Sequence, residues 1–151
     1  MAMMVKQVTL WRKEVQNAPG ILAEVLEPLA ASGANLRVVM GYALGDTGRA
    51  AVEVFPLTGK KLTQAATQAG LQPAQVAALF VEGDDRPGLG AAMARGIANA
   101  GVNIEFVVAQ TVGRKFSAVF GFRSADDARA AAKAIKAAAK PARTAKPRRK
   151  R

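Results

Sequence analysis

An α+β chain made of two copies of one β-α-β-β-α unit is what the sequence predicts, and three observations predict it. First, NAPGILAEVLEPLAASGANLRVVM, from Asn17, and DRPGLGAAMARGIANAGVNIEFVV, from Asp85, share their punctuation at an offset of 68 residues. Pro19 and Gly20 fall on Pro87 and Gly88, Gly33 and Asn35 on Gly101 and Asn103, Leu29 on Ile97, and Val52 and Val54 on Phe120 and Phe122. Second, the hydrophobic period changes from two to 3.6 and back in the same order in each copy. Third, 151 residues that are 50% hydrophobic suit one ordinary domain or two small ones, and two would lean on each other for want of large cores.

Each element has its own signal. Residues 6–14 and 77–83 read as the first strands. The stripes Ile21, Leu22, Val25, Leu26, Leu29 and Leu89, Met93, Ala94, Ile97 read as the helices after them. Pro19 and Pro87 suit a first turn, where a missing N–H costs little, and Asn17 and Asp85 are placed to cap it. Pro28 predicts a loosened end to the first helix. Gly33 and Gly101 close the helices. Alternation at Leu36, Val38, Met40 and at Ile104, Phe106, Val108 predicts second strands opened by Asn35 and Asn103. Turns at 44–48 and 112–115 return the chain into third strands marked by Ala50, Val52, Val54 and by Phe116, Ala118, Phe120, Phe122. Second helices follow near 59–69 and 125–139, the latter opened by Ser124 and Asp127 at capping-box spacing.

With one more strand per copy this order is the ferredoxin-like β-α-β-β-α-β sandwich. In the first copy LQPAQVAALFVEG must supply that strand and the next copy's first strand as well. The second copy runs directly into basic sequence and lacks an evident last strand, which leaves a sheet edge to manage. The expected organisation is a first domain at 1–76, a second at 77–139 packed beside it, and a disordered basic tail at 140–151.

Composition removes whole classes of chemistry. Neither cysteine nor histidine occurs, so disulfides, thiolate nucleophiles, His-dependent triads and His- or Cys-based metal sites are excluded. We expect no catalytic residues, no metal and no cofactor. No apolar run reaches the ~20 residues of a membrane span, and MAMMVKQVTLWRK lacks the parts of a signal peptide. A cytoplasmic location, away from membranes, is expected. The net charge of +11 is concentrated in KPARTAKPRRKR, where Lys140, Arg143, Lys146, Arg148, Arg149, Lys150 and Arg151 face no acid.

DDRPGLG, from Asp84, is the stretch with most chemistry. It is not a dinucleotide fingerprint, because Met93 stands where a third glycine is needed, and no phosphate-loop motif occurs. Asp84 and Asp85 are sequence neighbours on a strand and point to opposite faces. The first copy has Gln16 and Asn17 there, so a shared carboxylate pair is excluded. What both copies share is a strand that ends, a glycine that lets the backbone approach closely, and a helix N-terminus whose unpaired amides and positive dipole end suit a small carboxylate. An adjacent Asn or Asp suits an ammonium.

The pattern [DN]-x-P-G at a strand-to-helix turn, then G-x-N-[IL] about fifteen residues on, resembles the ACT domain, the ferredoxin-like amino-acid-binding regulatory module. The resemblance covers residues 5–139 in two copies and is to free-standing tandem ACT proteins without an attached enzyme. It implies a non-catalytic sensor of a free amino acid or close analogue, with domains paired side by side and a homodimer as a possible state. In that family ligands sit where a first-strand-to-helix loop meets a partner's second strand. On matching positions the resemblance implicates Asn17, Ala18, Pro19, Gly20, Ile21, Leu22 and Asn35. In the second copy it implicates Asp85, Arg86, Pro87, Gly88, Leu89, Gly90 and Asn103. Arg86 in place of Ala18 makes the two sites chemically unequal.

A nucleic-acid-associated protein is the alternative. The tail resembles the Lys/Ala/Pro tails of histone-like proteins and would neutralise phosphates without reading sequence. GRKFSAVFGF (113–122) has a passing likeness to an RNA-reading strand with exposed aromatics, although its Phe alternation also fits a buried face.

Overall fold

The computed structural model describes residues 3–140. Eight strands and four helices follow one another as β1 (Met4–Val8), β2 (Trp11–Gln16), α1 (Ile21–Ala31), β3 (Val38–Ala43), β4 (Arg49–Phe55), α2 (Lys60–Gln68), β5 (Gln72–Pro73), β6 (Ala77–Asp84), α3 (Leu89–Asn99), β7 (Phe106–Val112), β8 (Lys115–Phe122) and α4 (Ala125–Ala138). They form two separate four-stranded sheets, ordered β3-β4-β2-β5 and β1-β6-β8-β7. The described residues divide into a first unit, Val8–Ala78, and a second unit made of those through Gln7 together with those from Leu79 on. Both units are α+β and ferredoxin-like.

This division corrects two expectations. The stretch 6–14 is not one strand. It breaks at Thr9 and Leu10 into β1 and β2, which belong to different sheets. The second copy also does not go without a fourth strand, because β1 lies beside β6 in the position that β5 takes beside β2. The start of the chain therefore completes the second unit, and 1–76 is not one domain. The physical reason is edge pairing: a strand left open beside β6 is satisfied by the one strand-forming segment with no place in the first sheet. The tail from 141 on, with Arg143, Lys146, Arg148, Arg149, Lys150 and Arg151, lies outside the described residues.

Helix ends follow the glycine signals closely. Gly33 (φ +86°) sends its N–H to Ala30 O at 3.0 Å while Ala34 N–H reaches Leu29 O at 3.0 Å. Gly101 (φ +72°) repeats the pattern with Ala98 O and Ile97 O. These bonds take up carbonyls that the last turn leaves without partners, and the left-handed backbone they need suits glycine. α1 runs three residues past Pro28 before this stop. At α4, Asp127 N–H donates to Ser124 Oγ at 3.1 Å, as the capping spacing requires.

The core of the first unit joins Val15 of β2, Val25 and Leu29 of α1, Ala50, Val52 and Val54 of β4, and Leu57, Ala66 and Leu71, with Trp11 packed against it. In the second unit Leu89, Met93 and Ile97 of α3 and Ala128, Ala131 and Ile135 of α4 are buried, as are Phe116, Phe120 and Phe122 of β8. The Phe120 and Phe122 rings stack with centroids 6.3 Å apart. These aromatics are core, so β8 does not present the exposed rings that an RNA-reading sheet uses.

The hairpins refine the repeat. Val39 pairs with Val54 and Gly41 with Val52, whereas Val107 pairs with Phe120 and Ala109 with Ala118. Val54 is thus the counterpart of Phe120, and Val52 of Ala118, not of Phe122 and Phe120. The second hairpin is two residues shorter, and a two-residue change leaves every side chain on its own face.

Candidate functional site

In both copies the motif begins where the first long strand ends. Asn17 N–H donates to Gly48 O at 3.0 Å and Asp85 N–H to Arg114 O at 2.8 Å, which ties each loop to the hairpin turn beside it. Ala18, Pro19 and Pro87 are exposed in the turn. Gly20 and Gly88, at φ +86° and +81°, occupy the N-cap positions of α1 and α3, and neither cap uses a side chain. Asn17 and Asp85 therefore do not cap the helices. The Pro-Gly turn holds them three residues away, which leaves their side chains exposed at the mouth of the loop.

The first helical residues differ in depth. Ile21 is half-buried and Leu22 is 43% exposed, whereas Leu89 is buried. Leu89 N–H donates to Arg86 O at 3.2 Å and Ala92 N–H to Gly88 O at 3.0 Å. The amides of Gly90 and Ala91 belong to the turn that has no carbonyl four residues back inside the helix. An ideal Cβ on Gly20, Gly88 or Gly90 would have nothing within 4 Å.

A pocket of about 250 Å³ opens at this end of the second unit. Its wall is Asp85, Leu89, Gly90 and Met93 on one side and Ala109, Gln110, Thr111 and Phe116 on the other. Leu89, Met93 and Phe116 are buried and make an apolar floor, while the other five are exposed at the rim. Three predicted residues, Asp85, Leu89 and Gly90, meet here. The β7 contribution was missed, because Ala109–Thr111 carries no signal in the sequence beyond strand alternation. β7 is the edge strand of its sheet, so part of its main chain is not taken up by sheet pairing.

Arg86 does not turn into the pocket. Its guanidinium donates to Ala138 O at 3.0 Å, at the C-terminal end of α4, where a cation meets the negative end of the helix dipole. Lys13 does the same in the first unit, with its Nζ 2.9 Å from Ala69 O after α2. Asp84, at the end of β6, pairs with Lys115, and that hydrogen bond holds its carboxyl below the usual carboxylate range.

Asn35 and Asn103 are not brought to the motif of their own unit. Both are exposed in the coil three residues ahead of β3 and β7. Asp85 bonds at the 113–114 hairpin, whereas Glu105 N–H bonds Gly121 O at the far end of the same strand pair at 2.8 Å. The eleven residues of α3 separate the two ends by roughly 16 Å.

The first unit carries a different polar feature on its sheet. Glu53 is 1% exposed and accepts a hydrogen bond of 2.7 Å from the Tyr42 hydroxyl. Arg12, opposite Glu53 in the β2–β4 register, donates to Glu14 at 2.8 Å. Burial, then the hydrogen bond to Glu53, raises the Tyr42 phenol above its ordinary value. Among the described residues no group of three or more Asp or Glu is placed to hold a metal ion, and no helix is long and apolar enough to cross a membrane.

No protein-family model matches the chain, and no curated protein matches it by sequence. Solved structures do. The ligand-free regulatory subunit of aspartate kinase from Thermus thermophilus is similar at a TM-score of 0.62 and 22% identity, over 93% of this chain and 98% of that one. Protein BT0572 from Bacteroides thetaiotaomicron is similar at 0.69 and 18%, over 85% and 88%. Aspartokinase III of E. coli, in complex with aspartate and ADP, is similar at 0.61 and 15%, over 91% of this chain but 33% of that enzyme. The chain shares with them a fold of two tandem ferredoxin-like units.

Proposed function

We propose that this protein is a non-catalytic regulatory module that senses a free amino acid or a close analogue, without a cofactor. The observation that carries the proposal is the pocket at the N-terminus of α3, where an amide-bearing first turn, one carboxylate and an apolar floor converge. An α-amino acid has a matching set of groups. Its carboxylate suits the first-turn amides of Gly90 and Ala91, which offer fixed positive partial charge with no reorganisation. Its ammonium suits Asp85 and the carbonyls at the edge of β7. Its side chain suits the Leu89, Met93 and Phe116 floor. A volume near the small end of ligand pockets fits a ligand of this size.

Likeness to aspartate kinase regulatory subunits supports a regulatory role through the fold alone. The first-copy set, Asn17, Ala18, Pro19, Gly20, Ile21 and Leu22, is proposed as a second and weaker site, because Asn17 lacks the charge of Asp85. Asn35 and Asn103, distant from the motif of their own unit, are proposed to serve a ligand held by a second copy in a homodimer.

Thermal-shift screening of the twenty amino acids against the full chain tests this reading. At least one is expected to raise the melting temperature at millimolar concentration, and calorimetry is expected to give saturable heat. Asp85→Asn should weaken that binding about tenfold or more, as loss of a hydrogen bond to a charged group does. No shift and no heat from any of the twenty would end the sensor reading.

A further inference from the structure

We infer that the outer face of α4 is a docking surface for the phosphate backbone of a nucleic acid. Arg129, Lys133 and Lys136 recur at intervals of four and three residues, so they share one face of the helix, and Lys140 follows four residues on. All four are exposed, while Ala128, Ala131 and Ile135 on the opposite side are fully buried. Arg129 pairs with Asp126 at the start of the helix, and Asp127 is the last acid in the chain. From Ala128 to the end, 24 residues hold ten cations and no acid, so the stripe begins a run of single-sign charge that continues past the helix.

The helix is firmly seated. A Cβ on Gly96 would stand 3.3 Å from Ala134 O, so α3 and α4 approach closely there and Arg86 holds the far end through Ala138 O. The cations are thus presented on a rigid element, and binding to them costs little ordering entropy.

Charge complementarity selects a polyanion, and the other residues of the face select which one. A helix that lies in a membrane surface sets large apolar side chains beside its cations. The exposed residues of α4 between its cations are alanines, with nothing to insert into lipid. Aromatics for stacking on bases are absent from this helix too, so the contact would be to phosphates and indifferent to sequence.

The test uses the full-length chain and a fluorescent random-sequence DNA duplex, titrated over a range of salt concentrations, with vesicles rich in anionic phosphatidylserine as the competing polyanion. Wild type is compared with Arg129→Gln/Lys133→Gln/Lys136→Gln and with Lys133→Arg/Lys136→Arg. Glutamine keeps helix propensity, and an unchanged far-UV spectrum verifies the fold. The triple variant is expected to lose about tenfold or more in affinity at low salt and to flatten the log–log salt slope by up to about 2.7, three charges at about 0.9 each. The arginine variant should bind as wild type does. Equal affinity and slope for wild type and the triple variant would overturn the proposal, as would binding to vesicles with none to duplex.

Discussion

The two units share a fold and a motif but place their polar chemistry at different depths. In the first unit it is inside the sheet: Glu53, buried on β4, is held by the hydroxyl of Tyr42. In the second unit it is at the surface, in a pocket beside the DRPG turn and a row of cations on α4. Charge divides the same way. Residues 8–78 carry six Lys and Arg against five Asp and Glu, whereas the remainder carries sixteen against six. The difference shows that two copies of one unit can keep a fold while their polar groups settle at different depths.

The cross-strand pair at the far end of each hairpin breaks this comparison most sharply. Val38 faces Phe55 in the first unit and Phe106 faces Gly121 in the second, so the aromatic has changed strand. A Cβ on Gly121 would collide with the Phe106 ring. Gly121→Ala is expected to cost ~1–3 kcal/mol by overpacking, measured by chemical denaturation. Adding Phe106→Leu should recover much of the loss, and no recovery would place the fault elsewhere.

Tyr42→Phe probes the first unit. Removing the hydroxyl takes a donor from buried Glu53 and is expected to cost about 1–2 kcal/mol. The pH dependence has a definite sign. The folded phenol titrates above its ordinary value of 10.0, so its contribution is fully present below pH 10 and is lost as pH rises through the raised value. Melting temperatures from pH 8 to 11 should fall more steeply for wild type than for Tyr42→Phe; parallel curves would count against the network.

The smallest effects should be the most alike. Lys13→Met and Arg86→Met each remove a cation from the carbonyl end of a second helix. Each is expected to cost about 0.3–1 kcal/mol, and less in high salt. A much larger loss at Arg86 would mean that the turn itself depends on that clamp.

Much of this was legible in the sequence because it rests on local rules. Gly33 and Gly101 mark helix stops since few other residues accept a positive φ, and Ser124 marks a start through a bond three residues long. What escaped is non-local. VKQVTLWRKEVQ has no glycine or proline to show that β1 leaves for the other sheet, and its pairing with β6 spans some seventy residues. The two-residue difference between hairpins was hidden because a period of two looks the same after it. Of the residues that line the pocket, Asp85, Leu89 and Gly90 belong to the motif. Phe116 and Ala109–Thr111 do not, since strand register alone brings them there. Spacing along the chain also did not show that Asn35 and Asn103 stand at the other end of the helix from the motif of their own unit.

Gly90 gives the most direct test of the central claim. It lies inside α3 with an ordinary helical φ, lines the pocket, and a Cβ there would meet nothing within 4 Å. Replacing it with alanine or leucine should leave the unliganded melting temperature unchanged or higher, since glycine in a helix costs ~0.5–1 kcal/mol relative to alanine. The same change puts a side chain where an amino acid would lie. The measurement is melting temperature for wild type, Gly90→Ala and Gly90→Leu, with and without the amino acid that shifts wild type most. The account predicts variants at least as stable as wild type whose ligand-induced shift shrinks with alanine and vanishes with leucine. A full shift in Gly90→Leu would contradict it and move the ligand away from the N-terminus of α3.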